Sequence, residues 1–156
     1  MPVDTSVKTV ATLEDLPGLV GVPLGPSSWR TVTQEEVQQF ADLTGDHNPI
    51  HTDAEAGAAS PFGTTIVHGY FTLALVVPLM AEIFEMSGVS TGINYGLDKL
   101  RFPAPVPVGA RIRVGSVITA VDEVAGGRQI HVTSTFEIEG QAKPAAVAEM
   151  LLRFYA

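Results

Sequence analysis

The sequence predicts an α+β domain in which a curved antiparallel sheet wraps a long apolar central helix. An almost uninterrupted apolar run, Ile66 to Ala81, has the length and composition of a helix that is surrounded by protein. After Gly88 the pattern changes to the alternation of apolar and polar residues that is typical of half-buried strands. A helix followed by four such strands, with one sheet face in need of cover, favours this fold class.

The helix with the strongest local signal precedes the apolar run. Thr33 and Glu36 form a capping box, and apolar residues follow at helical spacing until Gly45, which ends the helix. The central helix then extends from about Val67 to Met86, and Pro78 should kink it. Its residues Tyr70, Phe71 and Met80 are expected in the core.

Two shorter helices are also expected. Thr12 fits the cap of a helix over Leu13–Val20, although Pro17 weakens that helix. Asp53 fits the cap of a short helix over 54–59.

Four strands are expected in the second half of the chain. The clearest runs from Gln129 to Glu139, and Gly126-Gly127 before it predicts a hairpin turn. A change of parity near Asp98-Lys99 predicts a β-bulge in the first strand. The alternate prolines at 103, 105 and 107 predict an extended crossover, since proline cannot donate to a ladder.

The length of 156 residues fits one globular domain, which we place at 29–156 after an N-terminal extension, 1–28. The first residues lack the pattern of a secretory signal, so we expect a cytoplasmic protein. The apolar run is shorter than the roughly 18 residues of a membrane span, so no membrane insertion is expected.

The charge distribution restricts the partners. The formal net charge is −8, which excludes the basic field that nucleic acid requires. Residues 1–98 carry 2 basic and 12 acidic groups, whereas residues 99–156 carry 7 basic and 5 acidic groups. An anionic ligand should therefore be bound mainly by the second part. The chain has no cysteine, which excludes disulfides and thiol catalysis.

The residues suited to chemistry cluster in the loop after the first helix. Gly45-Asp46-His47-Asn48-Pro49-Ile50-His51 places a carboxylate and an imidazole in one stiff segment, and the two can hold one water and exchange protons. Gly69 lies where the apolar helix begins, and unpaired N–H groups there would stabilise an oxyanion.

Structural roles also fit these residues. Asp46 suits a turn, His51 a satisfied buried histidine, and Gly69 a close packing contact. His68 fits packing or capping better than proton transfer. His47 and His51 have the spacing of a helical zinc pair, but Pro49 disrupts the shared face, so no metal is expected. The sequence has no nucleophile elbow, dinucleotide fingerprint or P-loop, which leaves cofactor-free acid–base chemistry.

These segments resemble a known family. The residues from Phe40 to His51, followed by Phe62-Gly63-Thr64-Thr65-Ile66-Val67-His68-Gly69, resemble the hydratase motif of the MaoC-type (R)-specific enoyl-CoA hydratases, which have the hot-dog fold. The segment 94–109 resembles an actinobacterial branch also described as nodulation-protein-N-like. The resemblance covers about 29–156. One departure is Gly57, where the family motif has Ala or Ser.

The resemblance implies that Asp46 and His51 are the catalytic carboxylate and histidine and that the Gly69 N–H forms the oxyanion hole. It implies water addition to an enoyl-CoA thioester to give an (R)-3-hydroxyacyl product, without a cofactor. The dehydration of a carrier-protein substrate and an idle acyl-binding subunit are the alternatives. The expected substrate-binding residues are Asn48, Phe62, Gly63, His68, Lys99 and Arg101.

Two further expectations concern partners. Lys99, Arg101 and Arg111 are candidates for the phosphates of coenzyme A, although ordinary surface charge explains them equally well. The apolar content and the open sheet edges predict a homodimer.

Overall fold

The chain folds as helices packed on an antiparallel sheet, in a computed structural model that describes residues 7–156. The strands are β1 (Thr9–Ala11), β2 (Pro23–Leu24), β3 (Arg30–Thr31), β4 (Phe84–Met86), β5 (Thr91–Arg101), β6 (Arg111–Val124), β7 (Gly127–Ile138) and β8 (Ala146–Tyr155). The α-helices are α1 (Gln34–Thr44), α2 (Pro49–Thr52), α3 (Ala54–Ala59), α4 (Gly69–Ala74) and α5 (Val76–Ile83). The fold class is α+β, as predicted.

The main sheet has the order β2-β6-β7-β8-β5, and β3 pairs with a second part of β6. Every pairing in it is antiparallel. The four long strands are those that the alternation predicts, and a register shift between Leu97 and Lys99 confirms the bulge. The turn between β6 and β7 contains Gly126 at φ 77°, which confirms the hairpin. A separate parallel pair joins β1 to β4.

The core lies between α5 and one face of the sheet. Leu79 and Ile83 of α5 are fully buried, together with the inward residues of β6 and β7 such as Ile118 and Phe136. Each large apolar side chain of this kind contributes about 1.5–3 kcal/mol when it leaves water. The helices therefore cover this face of the sheet, and a cavity beside the helices lies on the same side.

The predicted central helix is two helices, and its last turn is a strand. The break falls at Leu75, between α4 and α5. Pro78 has no N–H and its ring crowds the carbonyl four residues earlier, at Ala74, so the kink occurs where that bond is lost. The helix begins at Gly69, two residues later than predicted, and Phe84–Met86 pairs with β1.

The segment before β3 packs on the domain. Leu16 and Leu24 are buried in the common core. The helix predicted over Leu13–Val20 is reduced to a 3₁₀ turn, Leu16–Leu19, because Pro17 lies within it and removes a donor. Of the predicted N-terminal extension, residues 1–6 lie outside the described residues.

The proline crossover runs beside the segment that precedes α4. The Val67 N–H donates to the Val106 carbonyl at 2.8 Å, and the Val108 N–H donates to the Thr65 carbonyl at 3.0 Å. The crossover therefore forms a wall next to the start of α4. Along residues 7–156, no helix combines the length and the apolar character that crossing a membrane requires.

An apolar surface lies where α4 and α5 face β5, the edge strand of the sheet. We call it the β5 surface; its exposed members Tyr70, Val77 and Leu97 line a cavity between the helices and this strand. Tyr70 is 73% exposed, so the prediction that it lies in the core is wrong: it lines an open cavity together with residues of β5 and β8. Met80 is buried and Phe71 packs partly buried against the core, as predicted.

Candidate active site

The loop that carries Asp46 leaves α1 at a fixed point. The Thr33 hydroxyl accepts from the Glu36 N–H at 3.2 Å, and the Glu36 carboxylate accepts from the Thr33 N–H at 2.9 Å, which confirms the capping box. Gly45 adopts a left-handed conformation with φ 81°, and its N–H donates to the Ala41 carbonyl. The chain therefore turns sharply just before Asp46.

Short side-chain caps hold the rest of the loop. Asp46 Oδ1 accepts from the Asn48 N–H at 3.3 Å, and Asn48 Oδ1 accepts from the Ile50 N–H at 3.2 Å at the start of α2. Asp53 then caps α3, as predicted, by accepting from the next two free N–H groups. His51 thus lies in a segment whose backbone is fixed on both sides.

His51 is 8% exposed, and its ring orientation is set by the main chain. Its Nδ1 lies 2.7 Å from the Ile66 carbonyl. Because a carbonyl oxygen only accepts, Nδ1 carries the proton, and Nε2 of the neutral ring is an acceptor. The His51 carbonyl accepts from Gln34 Nε2 at 2.7 Å, and Gln34 Oε1 accepts from the Thr65 hydroxyl at 2.7 Å.

Asp46, His51 and His68 converge. One donor atom from each, a carboxylate oxygen or a ring nitrogen, lies within 4.8 Å of the others. His68 Nε2 donates to the Asp46 carbonyl at 3.0 Å, and the two imidazole rings stack with centroids 3.9 Å apart. Distance alone would allow these three residues to hold a metal ion.

A cavity of about 410 Å³ opens next to His51, and we call it the His51 cavity. Gly69 lines it, and as the first residue of α4 it has no carbonyl within the helix for its N–H. A Cβ at Gly69 would lie 3.0 Å from the Phe102 ring, so glycine keeps the space between this residue and Phe102 open. The lining residues are His51, Phe62, Ile66, Val67, Gly69, Thr72, Phe102, Pro103, Ala104, Pro105, Val106 and Ala145.

The structure brings part of the predicted site together. Asp46, His51, His68 and Gly69 are grouped, and Phe62 lines the His51 cavity. Asn48 acts as a helix cap, and Gly63 occupies a turn at φ 72°.

Lys99 and Arg101 lie elsewhere. They pair across the strand with Glu149 and Val147, which alternate with the buried Ala148 and Met150. Their side chains therefore belong to the sheet face opposite the His51 cavity.

Arg111, the third phosphate candidate, is already paired. Its guanidinium donates to the Glu139 carboxylate, with Nε at 2.6 Å. This hydrogen bond raises the pKa of Arg111 and lowers the pKa of Glu139. Both groups are exposed, so the pair is a surface ion pair.

Gln34, Thr65, Thr72 and Phe102 are the residues that the sequence analysis missed. Gln34 is the second residue of a capping box, where its side chain has no local partner, so no short-range pattern predicts its bond to His51. Phe102 lies within the segment that carries the family resemblance, and that was the only available signal for it.

The departure at Gly57 has a packing cause. A Cβ at this position would lie 2.5 Å from the Thr65 N atom. The glycine lets α3 approach the backbone of 64–65, which leads to Ile66 and so to the partner of His51 Nδ1. Glycine in place of the family's Ala or Ser therefore affects how α3 packs against the backbone of 64–65.

Comparison with known proteins shows the family of the chain. Residues 16–141 match the MaoC-like domain family. The 3-hydroxyacyl-thioester dehydratase Z of Mycobacterium tuberculosis (strain ATCC 25618 / H37Rv) is 50% identical over 151 residues, which cover 96% of this chain and 100% of that protein. Nodulation protein N of Rhizobium leguminosarum bv. viciae is 40% identical over 147 residues, covering 90% and 89%.

A solved structure extends the comparison. The (R)-hydratase from A. caviae involved in PHA biosynthesis superposes with a TM-score of 0.69 at 26% identity, covering 85% of this chain and 94% of that one. The arrangement of α5 against a single antiparallel sheet is thus the hot-dog fold. The family match, the two relatives and this fold show that the chain belongs to the MaoC-like domain family and is an enzyme of the hydro-lyase class.

Proposed function

We propose that the protein catalyses the reversible addition of water to trans-2-enoyl-CoA to give (R)-3-hydroxyacyl-CoA. The observation that carries the proposal is the orientation of the His51 ring. Its Nδ1 proton is committed to the Ile66 carbonyl, and its ring lines a cavity that also contains Gly69. A neutral imidazole with a free acceptor, next to a carboxylate, is the arrangement that activates a water.

The proposed reaction uses three groups. The thioester carbonyl oxygen accepts a hydrogen bond from the Gly69 N–H, which stabilises the enolate-like charge that develops as the water attacks. Asp46 and His51 hold the water; its oxygen forms a bond to C3, its proton passes to the pair, and a proton is delivered to C2. The two residues act as a coupled unit, because groups this close share their protons. Water is consumed and no other reactant is required.

The relatives support the reaction class and the stereochemistry. The mycobacterial relative is named a dehydratase of 3-hydroxyacyl thioesters, which is the reverse reaction, and the A. caviae neighbour is named an (R)-hydratase. Dehydration of a carrier-protein thioester would use the same groups. The cytoplasmic location remains a prediction.

We also propose that the protein is a homodimer that associates through the β5 surface. β5 is the last strand in the sheet order, so its outer edge is free to pair. Two apolar cavities of about 290 and 300 Å³ lie between this strand and the helices, and a second copy would fill them. Light scattering should give twice the chain mass, and Leu97→Asp should reduce it; a monomeric wild-type protein would refute the proposal.

Lys99 and Arg101 lie on the outer face of β5, so the proposal that they bind the coenzyme A phosphates requires the coenzyme arm to pass around this edge strand. Among the ion pairs of residues 7–156, none engages either side chain, whereas Arg111 is occupied by Glu139. Lys99→Ala and Arg101→Ala should each raise KM for the CoA thioester in a salt-dependent way. Unchanged KM in both variants would remove them from the site.

The central experiment follows the enoyl absorbance of crotonyl-CoA with purified protein and assigns the configuration of the product. The proposal predicts consumption of the enoyl thioester, an (R)-3-hydroxybutyryl product, and a loss of about 10²–10⁴-fold in Asp46→Asn. Activity only with a carrier-protein thioester would indicate the dehydratase. Folded protein without activity on either carrier would indicate an acyl-binding subunit.

A further inference from the structure

His68 contacts the main chain of Asp46 and the ring of His51 but takes no part in the reaction described above. It is 2% exposed and immediately precedes α4. Its ring stacks on the ring of His51, with ring centroids 3.9 Å apart and an angle of 27° between the planes. Phe40 lies 4.8 Å away and itself stacks on Phe71 at 5.0 Å. The ring is thus held within an aromatic cluster.

The hydrogen bonds of His68 define its orientation. Nε2 lies 3.0 Å from the Asp46 carbonyl oxygen, which can only accept, so Nε2 carries the proton. The other nitrogen, Nδ1, is buried and has no hydrogen-bond partner. Burying a polar nitrogen without a partner costs free energy, so a purely structural role would be better served by an apolar ring. The bond to Asp46 is the feature that requires a histidine here.

We infer that His68 is a positioning residue that sets Asp46 and His51 relative to each other. Its N–H fixes the main chain of Asp46, and its ring face fixes the plane of His51. Gly69, whose N–H completes the proposed site, follows His68 directly in the chain. His68 therefore links Asp46, His51 and the Gly69 N–H. This inference rests on the proposed function, and it replaces the expectation that His68 binds substrate.

Positioning of this kind acts on turnover. Reacting groups misplaced by about 1 Å can lower a rate by about 10²-fold, even where the altered residue does not touch the reacting atoms. Substrate contacts with the walls of the His51 cavity would remain, because His68 does not line it. The expected signature is therefore a change in kcat with little change in KM.

Two substitutions separate the contacts of His68. His68→Phe keeps a planar ring for stacking but loses the N–H, whereas His68→Gln retains an N–H that can reach the Asp46 carbonyl. With crotonyl-CoA we expect kcat to fall about 10–100-fold in His68→Phe, with KM within about twofold, and to recover most of that loss in His68→Gln. His131→Phe, on the opposite sheet face, is the matched control and should keep wild-type kcat.

The outcomes distinguish this inference from the proposed function. Wild-type activity together with unchanged kcat in His68→Phe would overturn the inference alone, as would a loss in both variants that follows the thermal unfolding midpoint. If the wild-type protein is inactive on every thioester, backbone ¹⁵N shifts still decide. We expect the amide resonances of Asp46 and His51 to move in His68→Phe and to return towards wild type in His68→Gln. Resonances that move equally in both variants would contradict positioning through the N–H.

Discussion

His131 and His51 each lie near a carboxylate, on opposite sides of the sheet, and we propose that only His51 acts in catalysis. On the outer face, His131 Nε2 is 2.6 Å from Asp122, and its Nδ1 is 3.8 Å from Asp98, so both nitrogens face exposed carboxylates. On the helix side, His51 gives its Nδ1 proton to a main-chain carbonyl and lines an apolar cavity. Proximity of His and Asp is therefore insufficient: a reactive imidazole needs one nitrogen fixed and the other free.

The largest expected difference between the two faces is in turnover. His51→Gln removes the free acceptor nitrogen and should lower kcat about 10²–10⁴-fold. His131→Gln makes the same chemical change on the outer face and should leave kcat within about twofold, because exposed ion pairs contribute little. Steady-state kinetics with crotonyl-CoA measures both. Equal losses in the two variants would remove the distinction.

Substitutions at two glycines, Gly69 and Gly115, test the role of the Gly69 N–H in the His51 cavity. Gly69→Ala places a Cβ 3.0 Å from the Phe102 ring, at the N–H proposed to hold the thioester oxygen. We expect kcat/KM to fall about 10–100-fold, comparable to the loss of an oxyanion-hole donor. Gly115→Ala is the control, since a Cβ there meets only the Leu24 carbonyl at 3.9 Å. A Gly69→Ala variant with normal kcat/KM would exclude this N–H.

The loop behind the His51 cavity should respond in stability. Gly57→Ala forces a Cβ to within 2.5 Å of the Thr65 N atom, and the backbone cannot yield easily. We expect a loss of about 1–3 kcal/mol in the free energy of unfolding, as for other overpacked positions. Gly18→Ala, where a Cβ meets nothing within 4 Å, is the matched substitution. Denaturant titration of both variants measures the free energy of unfolding. Similar values for the two variants would mean that the backbone at Thr65 moves to accommodate the new Cβ.

The sequence predicts local features of both faces well. The capping box of α1, the Asp53 cap, the alternation of β7, the bulge at Asp98 and the kink caused by Pro78 all depend on residues within a few positions of one another. Each of these is confirmed by the structure. The Asp46–His51 segment was recognisable for the same reason, since its residues are five positions apart.

What the sequence does not predict depends on distant contacts. The bonds from Gln34 to His51 and from His68 to Asp46 span 17 and 22 positions, and the bond from Thr65 to Gln34 spans 31. Tyr70 was expected in the core because helical spacing does not reveal which face of α4 meets the sheet. The pairing of β1 with Phe84–Met86 likewise overrides a helical pattern. Tertiary packing decides these points.

Helix caps provide a smaller test of the loop. Asp53→Ala removes the acceptor for the N–H groups of Glu55 and Ala56, and the free energy of unfolding should fall by about 1 kcal/mol. Asp53→Asn keeps an acceptor oxygen and should recover most of that loss. Chemical denaturation checks the order of the three proteins. If Asp53→Asn is as unstable as Asp53→Ala, the cap does not act through this hydrogen bond.

The smallest effect is expected at the ion pair between Arg111 and Glu139. Arg111 lowers the pKa of Glu139, so the stability from this pair is present above the ordinary pKa of a glutamate and is lost as the pH falls through the lowered value. Glu139→Gln should therefore lower the unfolding midpoint slightly at neutral pH and not at all in strong acid. A difference that persists in acid would show that packing, rather than charge, links the two residues.

The central claim, that Asp46 and His51 together activate the water, is tested most directly by a pair of aspartate variants. Wild type, Asp46→Asn and Asp122→Asn are compared for the initial rate of loss of crotonyl-CoA absorbance at saturating substrate. The account predicts that Asp46→Asn loses at least about 10²-fold in rate, whereas Asp122→Asn, beside the outer-face histidine, retains wild-type turnover. Equal rates for the two variants, from folded protein, would contradict it.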